Sequence, residues 1–231
     1  MTSWQIFVRG FIEKEGYRLF LQGLVTTLQI AVLGLIVGML IGSLLAVFKL
    51  LPNDNFITKF LKTFTDVYVA LFRGTPMVVQ LLLIHFVVFP AFGINIASTM
   101  EGIIAFGLNS GAYVCEIMRG GILSIDKGQT EAGRAVGLSY GKTMLKIVIP
   151  QAIKNVIPTL GNEFIALIKE TSVVSFIAIV DVTRAFESIA ASSYEYVVPY
   201  LMLALTYLVL VLIITLFIKI IERRLRAGDK R

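Results

Sequence analysis

Ionisable side chains are scarce in the long apolar stretches of this sequence, so the few found there are the first candidates for chemistry. Glu116 and Arg119 fall in an apolar run from Gly102 to about Leu123, and Glu163, Lys169 and Glu170 fall in another from about Asn155 to Val180. A charge at membrane depth is costly unless it faces a bundle interior, a wet cavity or an opposite charge. Glu116 and Arg119 lie three apart on one helix face and are expected to pair with each other. Glu163 is the stronger functional candidate, because it follows Pro158 and Gly161 and transporters expose polar backbone where a helix is interrupted at mid-membrane. The run Arg73-Gly74-Thr75-Pro76 has a related logic. Proline suits the first turn of a helix, and a half-helix beginning near Thr75 would aim free N–H groups and a positive dipole end at an anion such as a carboxylate. Asn109 and Ser110, beside Gly107 and Gly111, offer hydrogen bonds without charge. The alternative role for Gly74 and Gly111 is close helix packing. His85 stands alone in an apolar stretch and reads as a hydrogen-bonded packing residue, with no second ligand to make a metal site.

The elements that position these residues follow from composition. Of 231 residues, 57% are hydrophobic and only 16% charged, where soluble domains carry about a quarter charged. That excludes a fully disordered chain, a nucleic-acid-binding module and an ordinary cytosolic enzyme. The net charge of +6 then marks cytoplasmic loops, not a nucleic-acid surface. Cys115 permits no intrachain disulfide and reads as a small buried hydrophobe.

Uncharged runs from Leu19 to Phe48, Gly74 to Met100 and Tyr196 to Ile218 are long enough to span a bilayer as helices. The first is too long for a signal peptide and reads as a retained helix. With the two weaker stretches the spans number five. Lys49, Lys59, Lys62, Lys127, Arg134, Lys142, Lys146, Lys154 and the tail from Lys219 to Arg231 then fall on one side. Arg9, Lys14, Arg18 and Arg184 fall on the other. The positive-inside rule places the N-terminus outside and the C-terminus in the cytoplasm. The expectation is an all-α membrane protein with a polar pathway built by the middle helices. Residues 1–18 mix Trp4, Phe7 and Phe11 with Arg9, Glu13 and Lys14, which suits an interfacial helix or, equally, a partly ordered leader.

Between spans three and four, about residues 125–150, lies a long loop. Glu131 to Val136 is expected to form a short helix, with Gly137 closing it in the left-handed conformation and Ser139 capping the next one. Its small residues, Ala132, Gly133 and Ala135, suit insertion into a cleft on another protein. Gly141-Lys142-Thr143 imitates the end of a phosphate-binding loop, but Val136 stands where that motif needs glycine. With no nucleotide site found, uphill transport by ATP would require a separate ATPase chain.

Glu131-Ala132-Gly133, then Gly137, then Ile147-x-Ile149-Pro150, resembles the EAA loop in the membrane subunits of bacterial ABC importers. Gly133 stands in place of the usual alanine and Ile149 in place of the usual leucine. Further stretches are similar to one branch, the permeases for polar amino acids and opines. They are Arg73-Gly-Thr-Pro76 with Gln80-Leu81, Asn109-Ser-Gly-Ala-Tyr113 with Glu116 and Arg119-Gly-Gly-Ile122, Gly161-Asn-Glu-Phe164, Lys169-Glu-Thr-Ser172 and Glu222-Arg-Arg-Leu-Arg226. The resemblance runs from about Gly23 to the end.

The resemblance implies a type I ABC importer transmembrane domain at residues 19–222, with a basic cytoplasmic tail at 223–231, in the bacterial cytoplasmic membrane. It implies as partners a cytoplasmic ABC ATPase dimer holding ATP and Mg, a second permease subunit (identical or paralogous) and an extracytoplasmic amino-acid-binding protein. No cofactor is expected in this chain and no nucleic acid among its partners; lipid surrounds it. Glu131, Ala132, Gly133, Arg134 and Gly137 would couple to the ATPase. Loaded binding protein would dock on outer loops that include Pro90 to Thr99 and Asp181 to Glu195. Thr75, Pro76, Met77, Asn109, Ser110, Glu163 and Asp181 would meet a polar amino acid, basic ones included, moved by alternating access. An ion-coupled secondary amino acid transporter is the competing reading, disfavoured by five spans without an internal repeat.

Overall fold

The structure, a computed structural model, describes residues 1–51 and 55–227, with side chains up to Arg224. Arg226, Lys230 and Arg231 of the expected basic tail therefore have no described side chains. Every described element is helical. After α1 (Ser3–Val8) and a π-turn (Arg9–Glu13), the chain runs through α2 (Gly16–Leu50) and α3 (Phe56–Gly74). Next come α4 (Met77–Leu83), a π-turn (Ile84–Val88), α5 (Phe89–Ala91) and α6 (Ser98–Leu123). The loop that follows contains α7 (Lys127–Ala135), α8 (Tyr140–Thr143) and a third π-turn (Met144–Val148). The chain ends in α9 (Ile149–Glu170), a 3₁₀ segment (Thr171–Ile177), α10 (Val182–Ser193) and α11 (Val197–Ala227).

Two helices, α2 and α11, are by themselves long and apolar enough to cross a membrane, and α3 with the segment Met77–Ala91 forms a third such unit bent by 108°. The protein is thus an all-α, multi-pass membrane protein. The expected charges in α6 and α9 explain why those helices do not stand out by hydropathy.

The central pairing is α2 against α6. Gly34, Gly38 and Gly42 recur every fourth residue on α2, and Gly107 and Gly111 do so on α6. A Cβ on Gly42 would lie 2.6 Å from Val114 Cβ, and one on Gly111 would lie 2.9 Å from Ile41 Cγ2. Between apolar helices in lipid, backbone approach of this kind supplies the van der Waals contact that a hydrophobic driving force cannot. Ile30, Leu81, Phe106, Leu167, Ile168 and Val174 fill the core around this seam. Gly111 is therefore a packing glycine. Gly74 is not, since no atom lies within 4 Å of the place its Cβ would take.

Prolines shape the irregular turns. Pro90 and Pro150 each follow a π-turn by two residues. A proline removes one N–H and presses on the carbonyl four residues back, and a widened turn gives its ring room. Pro158 behaves otherwise. The expected interruption near Pro158 and Gly161 is absent, and α9 passes through both without a break. Val156, Leu167 and Ile168 are buried on either side, so packing holds the helix across one missing hydrogen bond.

Two helices stand where the sequence reading had connections. Residues between the first two spans form α3, started by Asn55, whose side chain accepts from Thr58 N in a capping box. Residues 182–193, expected as part of an outer loop, form α10. Asp181 caps it, and Val182, Ala185, Phe186, Ile189 and Ala190 make one buried stripe. Phe7 of α1 packs on the same stripe.

Candidate functional site

The bend between α3 and α4 leaves carbonyl groups without helical partners, a serious cost inside a membrane. Side chains meet them. Thr75 Oγ1 donates to Leu71 O at 2.8 Å. Gln80 Nε2 reaches Phe72 O at 2.8 Å, Thr75 O at 2.9 Å and Thr75 Oγ1 at 2.8 Å. Asn109 Nδ2 on α6 then donates to Gln80 Oε1 at 2.9 Å. The break at 74–76 is thus clipped shut by Gln80 and tied to α6. Pro76 leads into α4, and Met77 is buried in the core.

The next residue on α6 opens a second contact. Ser110 Oγ donates to Glu163 Oε1 at 3.1 Å, joining α6 to α9. Thr75, Asn109, Ser110 and Glu163, chosen from sequence, therefore fall in two hydrogen-bonded groups that meet at neighbouring residues of α6, together a polar seam. Asp181 does not contribute in the same way. It is fully buried, and its carboxylate accepts from Arg184 N at 2.8 Å, Thr183 N at 3.0 Å and Tyr207 Oη at 3.2 Å. Its oxygens are spent on holding α10.

A cleft of about 430 Å³ opens beside this seam, toward the end of the bundle that carries α7. Arg73, Tyr113, Glu116, Ser124, Asn155 and Thr159 line it. The Arg73 guanidinium lies over the Tyr113 ring, 5.3 Å from its centroid. Asn155, Thr159 and Glu163 recur every fourth residue of α9, so one polar stripe runs from the cleft to Glu163. Sequence reading named neither this stripe nor Gln80 as a site residue. For Gln80 the available signal was an amide in an apolar run, four residues after the proline.

The expected pairing of Glu116 with Arg119 is present, at 2.8 Å, and is part of a larger cluster. Lys49 Nζ contacts Glu116 at 2.7 Å and Asp66 at 2.9 Å. Four charges thereby fasten α2, α3 and α6 together near the base of the cleft. His85, read as a packing residue, pairs through Nδ1 with Glu101, a buried carboxylate that the sequence reading passed over. Among the described residues no three His, Cys, Asp or Glu side chains are grouped to hold a metal ion.

The 125–150 loop is ordered. Asp126 starts α7 by accepting from Gly128 N at 2.6 Å, so the helix begins before the expected Glu131. Gly137 closes it with φ +83°, and Ser139 caps α8. Glu131, Ala132 and Arg134 are exposed, while Gly133 is buried. A Cβ on Gly133 would lie 2.6 Å from Thr143 Cγ2, so glycine at this position lets α7 sit close on α8.

Residues 34–227 match the family described as the binding-protein-dependent transport system inner membrane component. The chain belongs to this family. It is a permease of the bacterial inner membrane and a transport subunit of an ABC-type importer, which replaces the ion-coupled alternative. The permease is 41% identical to the arginine transport system permease protein ArtQ of Bacillus subtilis (strain 168), over 90% of this chain and 93% of the relative. It is 40% identical to a putative glutamine transport system permease protein, GlnP, of Rickettsia typhi, over 89% of this chain and 92% of that one. A solved structure of an amino acid ABC transporter with histidines contains a chain 39% identical, with a TM-score of 0.83 over 92% of the permease and 96% of that chain. An inward-facing structure of the MetNI methionine ABC transporter is 19% identical with a TM-score of 0.75, over 90% and 96% of the two chains, a likeness of fold alone.

Proposed function

We propose that this permease carries a polar, preferably basic, amino acid into the cytoplasm by alternating access. Two permease subunits, a cytoplasmic ATPase dimer and an extracytoplasmic binding protein would form the working unit. The relatives are named for arginine, glutamine and cystine transport, which supports the substrate class. The observation that carries the reading is the Ser110–Glu163 contact, a carboxylate held between α6 and α9 beside an open cleft.

In this reading five units span the bilayer: α2, the bent α3–α4 pair through α5, α6, α9 and α11. The N-terminus lies outside and the C-terminus in the cytoplasm, with residues 1–18 at the outer interface. Residues 19–222 make the transmembrane domain, and residues 223–231 a basic cytoplasmic tail. Glu163 meets the substrate's cationic group, while Asn109, Ser110 and the N–H groups around Thr75, Pro76 and Met77 complete the polar wall. Asp181 sets the outer end of the site through α10. Glu131, Ala132, Gly133, Arg134 and Gly137 dock the ATPase.

The test is uptake into vesicles containing the reconstituted complex. Glu163→Gln should lower transport of a cationic amino acid by about tenfold, the scale of one charged hydrogen bond lost, while the ATPase still copurifies. Unchanged uptake would remove Glu163 from the site.

A further inference from the structure

We propose that Arg73, in the cleft, is the receptor for the substrate's α-carboxylate, so that an amino acid is read at both ends: by Arg73 at the carboxylate and by Glu163, farther along α9, at the cationic group. This rests on the reading of the protein as an amino-acid permease with Glu163 in its site.

Arg73 lies in the last turn of α3, just before the break, and its side chain lines the cleft. Tyr113 supports the guanidinium through the ring face, a contact that orients the plane without using its N–H donors. Among the described residues no hydrogen bond or ion pair engages that donor fork, although Glu116, the other charged residue lining the cleft, is paired. The Arg73 side chain is exposed in the cleft, so its donors are open to a ligand there. A planar fork with free donors matches a carboxylate through two parallel hydrogen bonds.

The surrounding groups favour the same ligand. Glu116 also lines the cleft, but Arg119 and Lys49 occupy its oxygens, at 2.8 Å and 2.7 Å, so its charge is compensated. Tyr113, Asn155 and Thr159 present neutral polar groups on the same walls. Thr75, whose residue type made it the natural carboxylate partner, has its hydroxyl proton on Leu71 O and its oxygen on Gln80. Glu163 stands four residues beyond Thr159, about 6 Å along α9, and Arg73 lies near enough for the two charges to interact. A cation and a carboxylate close enough to interact suit a zwitterion better than a simple cation.

The experiment is equilibrium binding to the purified permease–ATPase complex in lipid nanodiscs. The probes are L-arginine and L-glutamine, each beside its decarboxylated amine, agmatine or 4-aminobutanamide. The wild-type complex should bind the preferred amino acid about tenfold or more tightly than its amine, the gain expected from one charge-assisted pair. Arg73→Ala and Arg73→Gln should lose that preference while amine binding stays the same, and Arg73→Lys should keep part of it. Retention of the full preference in both neutral variants overturns the role of Arg73 and leaves the permease reading standing. Equal loss of amine and amino acid makes Arg73 structural and overturns it as well. Failure of the wild-type complex to bind either amino acid overturns both this inference and the mid-membrane site.

Discussion

Gln80 shows how one amide can hold a broken helix in a membrane. Its Nε2 serves the carbonyls of Phe72 and Thr75, and its Oε1 receives Asn109. Gln80→Leu preserves the bulk and removes every one of these bonds. Each carbonyl left buried and unpaired costs about 1–3 kcal/mol, so the melting temperature of the detergent-solubilised protein should fall by several degrees. An unchanged melting curve would show that water or a shifted backbone replaces the clip. At this scale the sequence revealed the polar candidates, because Asn109, Ser110 and Glu163 are conspicuous among apolar neighbours. It did not reveal their partners. Gln80 matters only once the chain is bent at 74–76, and Asp181 is absorbed by α10 only once that helix exists.

Among the elements, α2 and α6 depend on glycine where α3 does not. Gly42→Ala would force a methyl group to within 2.6 Å of Val114 Cβ, and overpacking of this kind costs about 1–3 kcal/mol. Gly74→Ala meets open space and should be neutral or slightly stabilising, since alanine favours helix by up to about 1 kcal/mol. Chemical denaturation of the two variants in mixed micelles should therefore diverge, and equal stabilities would refute the seam. Apolar runs located α2 and α11 directly. Their counterpart α3 escaped because its apolar face, with Phe60, Phe64, Val67 and Leu71 exposed, alternates with Lys59, Lys62 and Asp66. That pattern breaks an uncharged run without breaking a helix. The reverse holds for α9, where Pro158 announced an interruption that packing on both flanks suppressed.

Taken whole, the permease connects its polar seam to the 125–150 loop through α9. Gln151 Nε2 on α9 donates to Gln129 Oε1 on α7 at 3.1 Å, and Asn155 Nδ2 donates to Ser124 Oγ at 2.9 Å. The stripe that reaches Glu163 therefore begins at the 125–150 loop, and polar contacts link α7 to it. Glu131→Lys reverses an exposed charge on α7 and should release the ATPase from the membrane complex, read as loss of copurification. Gly133→Ala should instead lift α7 off Thr143 and leave the ATPase bound, with ATP hydrolysis less tightly linked to uptake. If both variants copurify and transport normally, α7 is not the docking element.

The sequence by itself determined that this is a helical membrane protein, which segments are apolar, where the long 125–150 loop lies and which polar residues are out of place in lipid. Those properties are local: they depend on composition and on spacing along one helix. Only the tertiary structure decided that Gln80 closes the break, that Lys49 joins the Glu116 pair, that Asp181 serves α10 and that Arg73 faces an open cleft beside Glu163. Each of those facts sets the position of one segment against another many residues away. Hydrogen bonds and charge pairs act over a few ångströms in space, and the sequence records order along the chain.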